Sequence, residues 1–127
     1  MKRYFFFDID GTLTTPLTAD YPDSAREAVR RLQEKGNFVA IASGRLQADA
    51  VDVAEELGID SVISDGGNGV TCCGKILYHE GLPLEDCFRL LGEIDGKKHP
   101  WAVTTENKKR RKTKYDDYLK RVTDRYY

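Results

Sequence analysis

Apolar residues in this chain come as short unbroken runs and as spaced stripes, and the two patterns alternate. Tyr4-Phe5-Phe6-Phe7 is the first run. Four consecutive aromatics read as a strand buried on both faces, as in a parallel sheet. After a loop from Pro16 to Asp20, Ser24 and Glu27 fit a capping box. Ala25, Ala28, Val29 and Leu32 then mark one helical face. Gly36 ends that helix at the left-handed position glycine tolerates. Phe38 to Ala42 reads as a second buried strand. The next stripe, Leu46, Ala50, Val53, Ala54 and Leu57, predicts a second helix with Gly58 as its stop. Val62-Ile63-Ser64 gives a short third strand. This β-α-β-α-β order predicts a parallel, three-layer Rossmann-like α/β fold with right-handed crossovers.

The pattern then changes. Asp65 to Gly69 is a glycine loop, and Val70 to Cys73, Gly74-Lys75 and Ile76 to Tyr78 read as a hairpin turning on the Gly-Lys pair. Leu84, Cys87, Phe88, Leu91 and Ile94 space as a third helix ended by Asp95-Gly96. Trp101 to Thr105 is a candidate strand, and Tyr115, Tyr118, Leu119, Val122 and Tyr126 fall at helical spacing. Residues 1–82 are read as one domain, and residues 83–127 as the beginning of a second, smaller one.

Composition narrows the class. With 127 residues, 40% hydrophobic and 32% charged, the chain suits a soluble globular protein. No run approaches the roughly 18 apolar residues of a membrane span, and the apolar start meets Asp8 too soon for a secretory signal. The cysteines Cys72, Cys73 and Cys87 stand at no metal spacing. Neighbours in a strand alternate faces, so all three are expected as reduced thiols of a cytoplasmic protein. Net charge is −1, but residues 97–127 carry 11 Lys/Arg against 4 acids, leaving 9 bases and 17 acids in residues 1–96. That step suggests a boundary near Asp95-Gly96. The basic run Lys108 to Lys112 could grip nucleic-acid phosphates, with tyrosines stacking on bases. Five consecutive charges are more often a solvated loop, so nucleic acid is the weaker reading.

Candidate chemistry gathers at the strand ends. Asp8 and Asp10 stand two apart beyond the first strand, so their side chains share a side if the strand persists. Ser43-Gly44-Arg45 ends the second strand just before a helix. Open α/β sheets bind ligands at such carboxyl ends. A carboxylate nucleophile, a second carboxyl able to move a proton, a hydroxyl and helix-N-terminal amides suit phosphoryl transfer. Attack by a carboxylate on a negative phosphate ester needs charge neutralisation, and hard oxygen ligands suit Mg²⁺.

These residues resemble the haloacid dehalogenase superfamily of phosphatases. Its first motif, Asp-x-Asp-Gly-Thr-Leu-Thr, stands unbroken at Asp8 to Thr14, and its second fits Ser43. Ser43-Gly44-Arg45, and Asn68-Gly69 before a hairpin, resemble the Cof-like branch, whose type IIB α/β cap follows the third strand. The resemblance implies that Asp8 attacks phosphorus and forms an aspartyl phosphate, while Asp10 protonates the leaving alcohol and then activates water. Mg²⁺ would be held by the Asp8 carboxylate and the Asp10 backbone carbonyl. Thr12, Ser43, Gly44, Arg45 and Asn68 would serve the phosphate or substrate. The implied substrate is a small phosphorylated metabolite resembling a sugar phosphate.

The family pattern then stops. Its lysine motif and its later Gly-Asp metal motif are missing, since no Gly-Asp follows Ser43. The expectation is therefore the N-terminal half of a larger phosphatase, ending inside its cap and nearly inactive alone. Rival readings are a phosphomutase of the same superfamily and a phospho-accepting module using Asp65, the acid that ends the third strand.

Overall fold

The computed structural model describes residues 1–15, 20–115, 117 and 120. It divides into two compact units, Met1–Glu80 and Gly81–Tyr127. The first holds a five-stranded sheet of order β1 (Tyr4–Phe7), β2 (Phe38–Ala42), β3 (Val62–Ser64), β4 (Gly69–Cys72) and β5 (Lys75–His79). β1, β2 and β3 are mutually parallel, with Phe7 opposite Ile41 and Ile41 opposite Val62. β4 and β5 add antiparallel, so the sheet is mixed. The Rossmann-type α/β architecture is the one the alternating pattern implies.

Helices α1 (Asp23–Glu34) and α2 (Gln47–Glu56) supply the crossovers. Val39, Ile41 and Val62 bury against Val29 of α1 and Ala50, Val53 and Ala54 of α2, with Phe5 and Phe7 alongside. Strand side chains alternate, so both helices lie on this one face. Tyr4 and Phe6 point the other way and are 65% and 54% exposed. β1 is therefore half-buried on one face, not buried on two as its aromatic run suggests; neither helix covers the face of Tyr4, Phe6 and Phe38.

Several local expectations shift by a residue or a role. α1 starts at Asp23 because the carbonyl of extended Pro22 accepts from Ala25 and Arg26 N–H at 2.9 and 3.3 Å. Ser24 lies inside the first turn and caps nothing, and Ala28 of the supposed apolar stripe is exposed. Gly36 and Gly58 do end their helices at φ +76° and +69°. The hairpin turns on Cys73-Gly74, not Gly74-Lys75, with both residues at positive φ, +50° and +75°. That is the geometry that matches strand twist in a two-residue turn. Gly69 belongs to β4, not to the loop before it.

In the second unit, α3 runs Leu84–Gly96, and its Leu84, Phe88 and Leu90 are exposed. Trp101 to Thr105 is not a strand; it contributes one antiparallel bridge, Val103 to Lys112. Asp95 gathers this unit's polar contacts. Its carboxylate accepts from Trp101 Nε1 at 2.7 Å, Tyr115 Oη at 3.0 Å and Lys114 Nζ at 2.6 Å. The charge step at Asp95-Gly96 thus falls within the second unit. The loop over residues 16–19 and the helical spacing at Tyr118, Leu119, Val122 and Tyr126 lie outside the described residues.

Candidate active site

Parallel pairing of β1 with β2 and β2 with β3 brings three strand ends to one rim. The first loop carries the paired acids. The ladder stops at Phe7, Asp8 remains extended, and Ile9–Leu13 forms a π-type turn. Thr14 N–H and its hydroxyl both donate to the Ile9 carbonyl, at 3.0 and 3.1 Å, while Gly11 N–H donates to the Thr14 hydroxyl at 3.3 Å. The turn needs Gly11 at φ +80°, a conformation other residues rarely adopt. Ile9 is fully buried and fixes the loop to the core, so exposed Asp8 and Asp10 flank an anchored residue.

The second loop follows β2. Ser43 is tied back to β3 by its N–H donating to Ile63 O at 2.9 Å, and its Oγ accepts from Arg45 N–H at 3.1 Å. That contact uses an acceptor site and leaves the hydroxyl proton available to donate. Arg45 then reaches across to the first loop. Its Nε donates to Asp10 Oδ2 at 2.9 Å and its Nη2 to Asp10 Oδ1 at 2.5 Å, a two-pronged pair, while Nη1 donates to buried Asp49 at 3.1 Å. Hydrogen bonding from Arg45 holds the Asp10 carboxyl below its ordinary range despite partial desolvation, and Asp10 in turn pushes Arg45 upward. Arg45 is a fixed cation.

The third loop follows β3. Asp65 N–H donates to Arg45 O at 2.8 Å and Gly66 N–H to Ser43 O at 3.4 Å, so the loops are bonded to one another. The Asp65 carboxylate oxygen Oδ2 accepts from Gln47 N–H at 3.0 Å and lies 3.0 Å from His79 Nε2. Asp65 therefore caps α2. The first amide of that helix is taken by Asp65. A carboxylate committed to capping also counts against Asp65 as a phospho-acceptor.

Of the residues singled out in the sequence, Asp10, Ser43 and Arg45 are joined by direct hydrogen bonds. Register places Asp8, one residue beyond Phe7, beside the end of β2. Thr12 sits exposed in the π-type turn and Gly44 exposed between Ser43 and Arg45. Asn68 contributes backbone: its N–H donates to Asp65 O at 3.3 Å and its carbonyl accepts from Glu80 N–H at 2.8 Å. Sequence reasoning missed Asp49, and it named Thr14 and Asp65 without finding the loop-closing role of the one or the capping role of the other. Asp49, four residues after Arg45, had a readable signal in helical i,i+4 pairing. Asp65 had none, because its partner Gln47 is distant in sequence. Asp8 and the Asp10 carbonyl are hard oxygen donors suited to Mg²⁺. Among the described residues no cluster of three or more His, Cys, Asp or Glu is arranged to hold a metal, so the local donor set is small.

Comparisons with known proteins bear on the family and the fold. The family model of haloacid dehalogenase-like hydrolases matches residues 5–124. The chain is 39% identical over 106 residues to YkrA of Bacillus subtilis, named as a candidate phosphatase, covering 84% of this chain and 41% of that protein. A protein of Geobacillus kaustophilus with no function in its name superimposes with TM-score 0.73 at 36% identity, over 89% of this chain and 43% of that one. The sugar phosphatase BT4131, of haloacid dehalogenase subclass IIB, superimposes with TM-score 0.76 at 25% identity, over 97% and 48% respectively. The chain spans less than half the length of each of these relatives.

Proposed function

Given that the chain belongs to the haloacid dehalogenase-like hydrolases, we propose that its rim is the nucleophile half of a phosphatase site acting on a small phosphorylated metabolite resembling a sugar phosphate. The observation that carries this reading is the bonded array of Asp10, Arg45 and Ser43 beside Asp8. Asp8 attacks phosphorus, a carboxyl O–P bond forms and the ester O–P bond breaks. Asp10 gives its proton to the departing alcohol, then takes one from the water that hydrolyses the acyl phosphate. Ser43 donates its hydroxyl proton to a phosphoryl oxygen. Mg²⁺ would be held by the Asp8 carboxylate and the Asp10 backbone carbonyl and would supply neutralisation of phosphate charge.

Arg45 sets a condition on this sequence. With both prongs on Asp10 it favours the ionised carboxylate, the form that accepts a proton from water. For Asp10 to act as proton donor, Arg45 must release it, and a phosphate oxygen is a competing acceptor for the same guanidinium fork. Residues 83–127 fit the beginning of a cap, where leaving-group selectivity resides in capped enzymes of this kind.

The test is hydrolysis of p-nitrophenyl phosphate with Mg²⁺, comparing the wild type with Asp8→Asn. Loss of the nucleophile is expected to lower turnover by about 10²-fold or more, roughly 2.7 kcal/mol in activation free energy. Turnover above the uncatalysed background that Asp8→Asn leaves unchanged overturns the assignment.

A further inference from the structure

The tip of the β4–β5 hairpin carries a feature the rim does not use. Cys72 ends β4, and an adjacent strand residue would point to the opposite face. Cys73 is not in the strand. Its φ of +50° puts it in the left-handed region, and the turn swings its side chain back, leaving the two sulfurs 3.8 Å apart. The tip is fastened where it stands: Cys73 N–H donates to Ser61 Oγ at 3.2 Å, and Gly74 N–H donates to Asp60 O at 2.9 Å. Cys73 is exposed and Cys72 partly so, and both thiols are free. Solvent therefore reaches a pair of thiols whose spacing the backbone sets.

That spacing distinguishes two outcomes for a thiol pair. A disulfide needs sulfurs at about 2.05 Å and Cα atoms usually about 4.4–6.8 Å apart. Neighbouring residues across a trans peptide have Cα atoms about 3.8 Å apart, so this pair is poorly placed for one. A single central atom holding both sulfurs at about 2.3 Å spans roughly 3.4–3.8 Å, as its bond angle runs from pyramidal to tetrahedral. The thiols are set to grip one central atom more readily than each other.

We infer that Cys72 and Cys73 form a dithiol site for a thiophilic centre with two open positions, the chemical class of a trivalent arsenical carrying one organic group. Such a centre asks for two protein sulfurs and no more. Among the described residues no cluster of three or more His, Cys, Asp or Glu is arranged to hold a metal, which suits a two-sulfur centre over a four-coordinate one. With phenylarsine oxide the step balances without oxidant or reductant. Two arsenic–sulfur bonds form, the arsenic–oxygen bond breaks, and the oxygen leaves as water with the two thiol protons. Arsenic stays trivalent. A hydrogen bond donated to the Cys72 sulfur, then the negative charges of Cys72 and Asp60, hold the Cys73 thiol above its ordinary range, so the protons leave as the ligand arrives.

Phenylarsine oxide titration of the full chain, followed by thiol counting and intact mass, tests this. Of the 3 cysteines, two should disappear together at one arsenical per chain, reversed by a small dithiol and not by a monothiol. Cys72→Ser and Cys73→Ser should each weaken capture by about 100-fold or more, since the second bond becomes intermolecular; Cys87→Ser should leave it unchanged. Three thiols reacting independently in the wild type, or capture dependent on Cys87, overturns the inference without need of any variant's stability.

Discussion

Gly69 opens β4 directly opposite Ser64, and the contact between them is the tightest test of the packing beneath the rim. A methyl group built on Gly69 would stand 2.2 Å from Ser64 Oγ, 3.1 Å from His79 Cδ2 and 3.2 Å from Asp65 Oδ2. Its φ is not in the left-handed region, so the objection to a side chain is space alone. Ser64 is fully buried, and its hydroxyl finds no hydrogen-bond partner among the described residues. Overpacking a buried position costs about 1–3 kcal/mol. Gly69→Ala should therefore lose about 2 kcal/mol, on the order of 8 °C in unfolding temperature for a unit of this size. Ser64→Ala removes the oxygen that the methyl strikes. Because that oxygen is buried without a partner, its removal sheds a desolvation cost of about 1–3 kcal/mol rather than breaking a bond. The single Ser64→Ala variant should be at least as stable as the wild type. The double variant should recover most of the loss, with a coupling energy of about 1 kcal/mol or more. Urea denaturation followed by far-ultraviolet circular dichroism measures all three. A Gly69→Ala chain within about 0.5 kcal/mol of the wild type, or strict additivity in the double variant, refutes the reasoning.

Arg45→Ala should let the Asp10 carboxyl rise toward its ordinary range. Asp10 is depressed by Arg45, so their pair stabilises the fold above the ordinary carboxylate range and fades as pH falls through the depressed value. With Asp10 63% exposed at its side chain, the loss should be no more than about 1 kcal/mol; an unmoved carbon NMR titration of Asp10 would contradict the pairing. Asp95 behaves alike in the second unit: Lys114, then Trp101 and Tyr115, hold its carboxyl low. Its contacts should persist above about pH 4 and be lost on further acidification, reported by Trp101 fluorescence. A transition surviving in Asp95→Asn would reject that assignment.

Much of the first unit was legible because its signals are local. The run Phe38 to Ala42 makes a strand wherever it lies in a sheet. Gly36 and Gly58 mark helix ends by a backbone conformation that glycine adopts without strain. The acids after Phe7 and the Ser-Gly-Arg triplet could be assigned to one rim once the strands were parallel. What stayed hidden depends on residues far apart in sequence. Asp65 capping α2 and Arg45 seizing Asp10 are products of the assembled sheet, and no spacing rule announces them. The capping box at Ser24 failed because Pro22, two residues earlier, already supplied the carbonyl that starts α1. The hairpin failed by one residue because Cys73 accepts a left-handed conformation that composition alone would assign to Gly74 first. Aromatic identity at Tyr4 and Phe6 spoke for burial, but one face of β1 meets neither α1 nor α2.

Ile9 sits at 0% exposure between the two acids. Its side chain belongs to the hydrophobic interior while its backbone holds an exposed carboxylate on either side. Trimming that isoleucine to valine or alanine cannot be a purely thermodynamic change, because any slackness it introduces is passed to both neighbouring carboxylates at once. Folding and the alignment of the two acids at this rim therefore share a single point of adjustment.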